Sequence, residues 1–114
     1  KAKRDGREIV CVGTTSFRSI ESLYKMSGED RDILTYCDQW QATKLFVHPC
    51  DGVKKYTPVS GVTGLMTNFH QPKSTLFALI CALLGVDEAR NVYDTAIEQK
   101  YRFYSYGDSS LLWL

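Results

Sequence analysis

The stretch Ser74 to Leu84 narrows the fold more than any other, because Leu76 to Leu84 is unbroken apolar sequence. A helix that is apolar all round has no face to offer water, so it must be central, with other elements packed around it. The run falls far short of the ~20 residues needed to cross a bilayer. Pro72 suits the first helical position, where its missing N–H costs nothing, and Gly85 is placed to stop the helix.

The surrounding sequence supplies the elements that such a helix needs. Ile9 to Val12 (IVCV) is a short apolar, β-branched run of the kind buried on both faces of a sheet. Gly13-Thr14-Thr15-Ser16 turns the chain, and Phe17, Ile20, Leu23 and Tyr24 then recur at helical spacing, leaving Arg18, Glu21 and Lys25 elsewhere on the wheel. Ser27-Gly28 ends that helix. Residues 29–43 are mostly polar and irregular, with Trp40 standing out, and Lys44 to His48 reads as a strand closed by Pro49. The stretch 51–64 reads as a loop holding a short strand at Tyr56 to Val59, and Leu65 to Thr67 as a further strand. Asp87 is an N-cap for a helix reaching Lys100, with Ala89, Tyr93, Ala96 and Ile97 on one face. A last strand is expected at Ser110 to Trp113. The order β-α-β-β-α-α-β predicts a single α/β domain over residues 1–114.

Composition excludes several classes. The chain is 44% hydrophobic and 24% charged with a formal net charge of +1, outside the range of disordered, collagen-like or strongly nucleic-acid-binding sequences. A local basic patch would still suffice for RNA. Cys11, Cys37, Cys50 and Cys81 form no CxxC pair and no zinc spacing, so no metal is expected and the thiols read as reduced, placing the protein in the cytoplasm without a membrane. KAKRDGREIV, without Met, reads as the last turn of a helix stopped by Gly6, with Lys1, Lys3 and Arg4 suiting its C-terminus. On that reading the chain is cut from something longer.

Three segments hold the residues capable of chemistry. Strand, GTTS, helix builds an anion or nucleotide site from Thr14, Thr15 and Ser16, or merely caps a helix. Thr67, Asn68, His70, Lys73, Ser74 and Thr75 crowd where a strand ends and the buried helix begins, the place where open α/β sheets hold ligands. Lys73 stands at the unfavourable end of the helix dipole unless an anion binds beside it; otherwise Asn68 and His70 satisfy loop backbone and Lys73 is solvated. In YRFYSYGDSS, from Tyr101 to Ser110, the rings either stack on bases or form a core strand, with Tyr106 and Asp108 better placed for a ligand than Tyr101 and Phe103. His48 reads as a strand-end residue, and only charge links Lys54 and Lys55 to RNA.

VGTTSFRSIES (Val12 to Ser22), LMTNFHQPKSTL (Leu65 to Leu76) and YRFYSYGDSSLL (Tyr101 to Leu112) together resemble the C-terminal motifs of the S-adenosylmethionine:tRNA ribosyltransferase-isomerase family of queuosine biosynthesis. Gln71 stands where the family pattern has Leu, and residues 49–64 are longer and more polar than the family's loop. The resemblance implies the C-terminal part of that family's α/β domain, without its inserted β-barrel domain. It implies an enzyme that moves and isomerises the ribosyl group of S-adenosylmethionine onto 7-aminomethyl-7-deazaguanine at the tRNA wobble position. Epoxyqueuosine forms, and adenine and methionine leave. S-adenosylmethionine is then a co-substrate, no cofactor is permanently bound, the tRNA anticodon region is the partner, and the full-length enzyme is a monomer. His70 or Lys73 would be the base and Asp108 would act as an acid or contact adenine. Thr14, Thr15, Ser16, Arg18, Asn68, Ser74, Thr75 and Tyr106 would bind substrate. These residues alone are expected to be inactive, and the alternative is a non-catalytic α/β nucleotide- or RNA-binding module.

Overall fold

The first residues end a helical turn and deliver the chain into a sheet. Gly6, at φ 64°, donates its N–H to Lys3 O at 3.2 Å, while Arg7 N–H reaches Ala2 O at 3.0 Å. Those paired bonds around a left-handed glycine are the Schellman stop for which the basic turn and Gly6 were read. The computed structural model describes residues 1–28, 40–49 and 55–114. Among them the order is β1 (Val10–Val12), α1 (Thr14–Ser27), β2 (Gly64–Asn68), α2 (Thr75–Leu84), α3 (Val86–Glu98) and β3 (Ser109–Trp113).

The sheet runs β1-β2-β3, with β2 central, parallel to β1 and antiparallel to β3. Register aligns Cys11, Leu65 and Leu112 across the three strands, and all three point into the core. There they meet Phe17 from α1, Leu79, Ile80 and Leu83 from α2, and Ala89, Tyr93 and Ala96 from α3. Every residue of α2 from Leu79 to Leu84 is buried, as its sequence requires. Gly85, at φ 94°, both ends α2 and begins α3, so the two helices share one turn.

Several expectations are corrected. β1 is not covered on both faces: Cys11 is buried while Val10 and Val12 are exposed. Lys44 to His48 is not a strand; its Leu45 bonds to α1 and to Thr43, and Thr43 in turn bonds to α1. Arg18 Nη2 donates to Leu45 O at 3.0 Å, Ser22 Oγ bonds Thr43 Oγ1 at 2.7 Å, and Leu45 N donates to Thr43 Oγ1 at 3.0 Å. Tyr56 to Val59 is no strand either; Tyr56 N–H pairs with Ala82 O of α2 at 2.8 Å. The described order is therefore β-α-β-α-α-β. Pro72 precedes the helix, and Ser74 is the N-cap of α2. Asp87 falls in the first turn of α3, which favours its charge but does not cap it. Ile97 is exposed rather than packed. Cys37, Cys50 and Lys54 lie outside the described residues; Cys11 and Cys81 are free and buried, and burial pushes both thiols up. Among the described residues no helix is long and apolar enough to cross a membrane.

Candidate functional site

A cavity of about 330 Å³ opens where β1 and β2 end, bounded by Thr14, Thr15 and Ser16 on one side and Thr67, Asn68 and His70 on the other. Its shape follows from the chain's local geometry. Gly13 holds φ 86° and ψ 146°, a conformation open to glycine, and donates its N–H to Met66 O at 2.8 Å. That bond carries the strand pairing one residue further and starts α1 at the sheet edge. No side chain caps α1, so its first turn brings the unpaired N–H groups of a helix N-terminus to the cavity wall.

His70 is fixed from two directions. Its Nε2 bonds Thr67 Oγ1 at 2.8 Å, and its backbone N–H donates to Tyr93 Oη at 3.0 Å. Burial pushes the imidazole below its ordinary pKa, so it is neutral at pH 7 and able to accept a proton. Asn68 is held by both ends of its amide: Nδ2 donates to Tyr104 O at 3.2 Å, and Oδ1 accepts from Ser109 Oγ at 2.9 Å. The 101–108 loop is tied to the same strand end, with Tyr104 N–H on Phe69 O at 3.0 Å and Phe69 N–H on Asp108 O at 3.3 Å.

The structure brings together Thr14, Thr15, Ser16, Asn68 and His70 and separates the other sequence candidates from them. Arg18 and Thr75 line a neighbouring cavity of about 210 Å³ with Phe46, Val47, Leu76 and Leu79. Ser74 accepts Phe77 N–H at 3.0 Å, which satisfies the start of α2. Lys73 is exposed in the turn before it, at φ 63°. Asp108 accepts Arg102 N–H at 2.7 Å and Arg102 Nη2 at 3.2 Å, and these bonds hold its carboxyl below the usual range. The loop closes around Gly107, where a Cβ would stand 2.4 Å from Arg102 O.

The two readings of the aromatic run divide between its residues. Tyr101 and Phe103 pack against Phe69 at ring separations of 5.8 and 5.3 Å, in a cluster that includes Tyr93 and Phe77. Tyr104 and Tyr106 face outward, Tyr106 at 95% exposure.

Sequence reasoning missed Ser109, which lines the cavity, and Glu21, which organises the helix beside it. Glu21 is fully buried and accepts N–H from Val59 at 2.9 Å and Ser60 at 3.0 Å, and the hydroxyl of Tyr56. Burial pushes this carboxyl up, but the Tyr56 hydroxyl and the two backbone N–H groups that it accepts outweigh it and leave it below its ordinary value. The signal was present: Glu21 lies one helical turn from Phe17, on the inward face. Among the described residues no cluster of His, Cys, Asp and Glu could hold a metal ion.

Comparison with known proteins agrees with this architecture. The family model described as queuosine biosynthesis protein matches residues 1–112. The S-adenosylmethionine:tRNA ribosyltransferase-isomerase of Phenylobacterium zucineum is 51% identical over 112 residues, which cover 98% of this chain and 28% of that protein. The enzyme of the same name from Helicobacter pylori strain HPAG1 is 38% identical over 109 residues and again 28% covered. The crystal structure of S-adenosylmethionine tRNA ribosyltransferase from Thermotoga maritima matches with a TM-score of 0.74 at 32% identity, over 96% of this chain and 34% of that one. The chain thus spans little more than a quarter of the length of these curated relatives.

Proposed function

Because the chain belongs to the queuosine biosynthesis protein family, we propose that it forms part of the catalytic centre of an S-adenosylmethionine:tRNA ribosyltransferase-isomerase. The observation that carries this reading is the cavity that joins the uncapped start of α1 to His70 at the ends of two parallel strands. Open α/β sheets hold ligands at that place.

The reaction begins with acidic hydrogens. Carbon next to a sulfonium loses a proton readily, and a neutral, partly buried imidazole is suited to take it, so His70 is assigned as the base. Thr67 Oγ1 fixes which way the ring faces. Thr14, Thr15 and Ser16 supply hydroxyls and helix N–H groups to the donor's polar atoms, and Asn68 sets the far wall. Lys73, ahead of α2 and exposed, is assigned to a tRNA phosphate. Asp108 is held ionised by Arg102, which fits a hydrogen-bond acceptor for adenine rather than a proton donor. Tyr106 is free to stack on an unpaired base of the anticodon region. Arg18, Ser74 and Thr75 support these groups from the neighbouring cavity and the α2 cap.

The test is a full-length chimera in which residues 1–114 replace the matching segment of the Phenylobacterium zucineum relative. It should release adenine from S-adenosylmethionine in the presence of tRNA carrying the 7-aminomethyl-7-deazaguanine base. Binding of both substrates without adenine release, in a folded chimera, would instead identify a nucleotide- or RNA-binding module.

A further inference from the structure

One face of the sheet packs on the helices; the other is open and almost wholly apolar. Val10 and Val12 from β1, Met66 from β2, and Leu111 and Trp113 from β3 are 42%, 69%, 43%, 53% and 59% exposed. Register sets them side by side: Val12, Met66 and Leu111 form one row, and Val10, Gly64 and Trp113 the next. The Trp113 ring lies across Gly64, 3.2 Å from where a Cβ would stand, so the indole covers the central strand. None of the three strands places a charged residue on this face. The outward side of α3, by contrast, carries Asp87, Glu88, Arg90, Asp94 and Glu98.

A solvated sheet face alternates with polar residues, and contiguous apolar patches of this kind mark contact surfaces. The sequence of β1, apolar on both sides, is written for burial on both faces, yet only one is covered. The relatives carry nearly three-quarters of their length outside the matched region. A sheet face, unlike a sheet edge, is covered by a packed layer rather than by an added strand.

We propose that this face is an internal surface, covered in the full-length enzyme by a helical layer of its own polypeptide from outside residues 1–114. Val12 and Met66 belong both to the open face and to the cavity lining. The covering layer therefore also supplies a wall of that cavity, and this second part rests on the catalytic reading above.

Oxidative footprinting of the chimera tests the proposal without altering any residue. Met66 and Trp113 should be oxidised at least about tenfold more slowly in the folded chimera than in the urea-unfolded one. Protection below about threefold, as expected for side chains left as open as here, overturns it. A Leu111→Cys chimera gives the same readout by maleimide labelling. Protection lost on dilution from dimer to monomer would assign the face to a second copy and overturn the proposal too. Adenine release, measured on the same sample, separates the two readings. Protection without turnover keeps the covering layer and removes the catalytic reading, whereas turnover with free labelling does the reverse.

Discussion

Two helices start where strands of this sheet end, and they are built on opposite principles. α2 is apolar on every side, buried along its length and closed at its start by Ser74. α1 has one buried stripe, begins at a glycine without a side-chain cap, and is gripped in its middle by a carboxylate that binds a neighbouring loop. The difference teaches where a ligand fits. A helix whose first turn is already capped by a side chain has less to give an anion, whereas α1 has its first turn uncapped beside the cavity. α2 supplies stability, and α1 trades some of it for an open end.

The largest test of that contrast falls on the grip. Glu21→Ala strands the N–H groups of Val59 and Ser60 and the Tyr56 hydroxyl, and should cost about 3–5 kcal/mol in chemical denaturation. The loss should also depend on pH. The folded carboxyl lies below its ordinary value of 4.5, so its stabilisation is full above that value and fades as pH falls through the folded one. Glu21→Gln should flatten this acid limb. Ile80→Ala, in the core of α2 at 1% exposure, should cost about 3 kcal/mol at every pH, since no ionisation is involved. An equal pH dependence in both variants would erase the distinction between the helices.

Why one helix was easily read from sequence and the other only partly has the same physical basis. α2 declares itself because unbroken apolar sequence admits one environment. The stop at Gly6, the three strands of the sheet and the inward residues Ala89, Tyr93 and Ala96 follow equally from turn chemistry and periodicity. The wheel sets Glu21 apart from the apolar residues, because a carboxylate is rarely buried, and only the tertiary approach of residues 56–60 satisfies it. KLFVH has strand composition, but the polar groups of Leu45 are taken by the Arg18 side chain of α1 and by Thr43 beside it, and not by a neighbouring strand. In the site, the motif TNFHQPKST located the strand end correctly. It could not show that His70 turns toward Thr67 while Lys73 faces outward in a left-handed turn.

On the functional side, His70→Ala in the full-length chimera should lower adenine release at least tenfold, about 1.4 kcal/mol of barrier. Burial lowers the imidazole pKa, so kcat/KM should fall only below the ordinary value of 6.5, as protonation removes the base. The variant should lose that limb. Wild-type turnover with an unchanged pH profile would remove His70 from the chemistry.

The smallest effects bear on the two helix starts themselves. Gly13→Ala adds a side chain into open space, since nothing lies within 4 Å, but at φ 86° it strains the backbone by about 1–3 kcal/mol. Ser74→Ala leaves its backbone unstrained at φ −95° and removes only the bond to Phe77 N–H, about 1 kcal/mol. Both should appear as modest shifts in the unfolding midpoint, yet they should part company in kinetics. Displacing Gly13 moves the free first turn of α1 and should raise KM for S-adenosylmethionine in the chimera. Ser74→Ala opens an end of α2 that does not line the cavity beside α1 and should leave that KM unchanged. A raised KM with Ser74→Ala and none with Gly13→Ala would transfer the anion site from α1 to α2, next to Lys73.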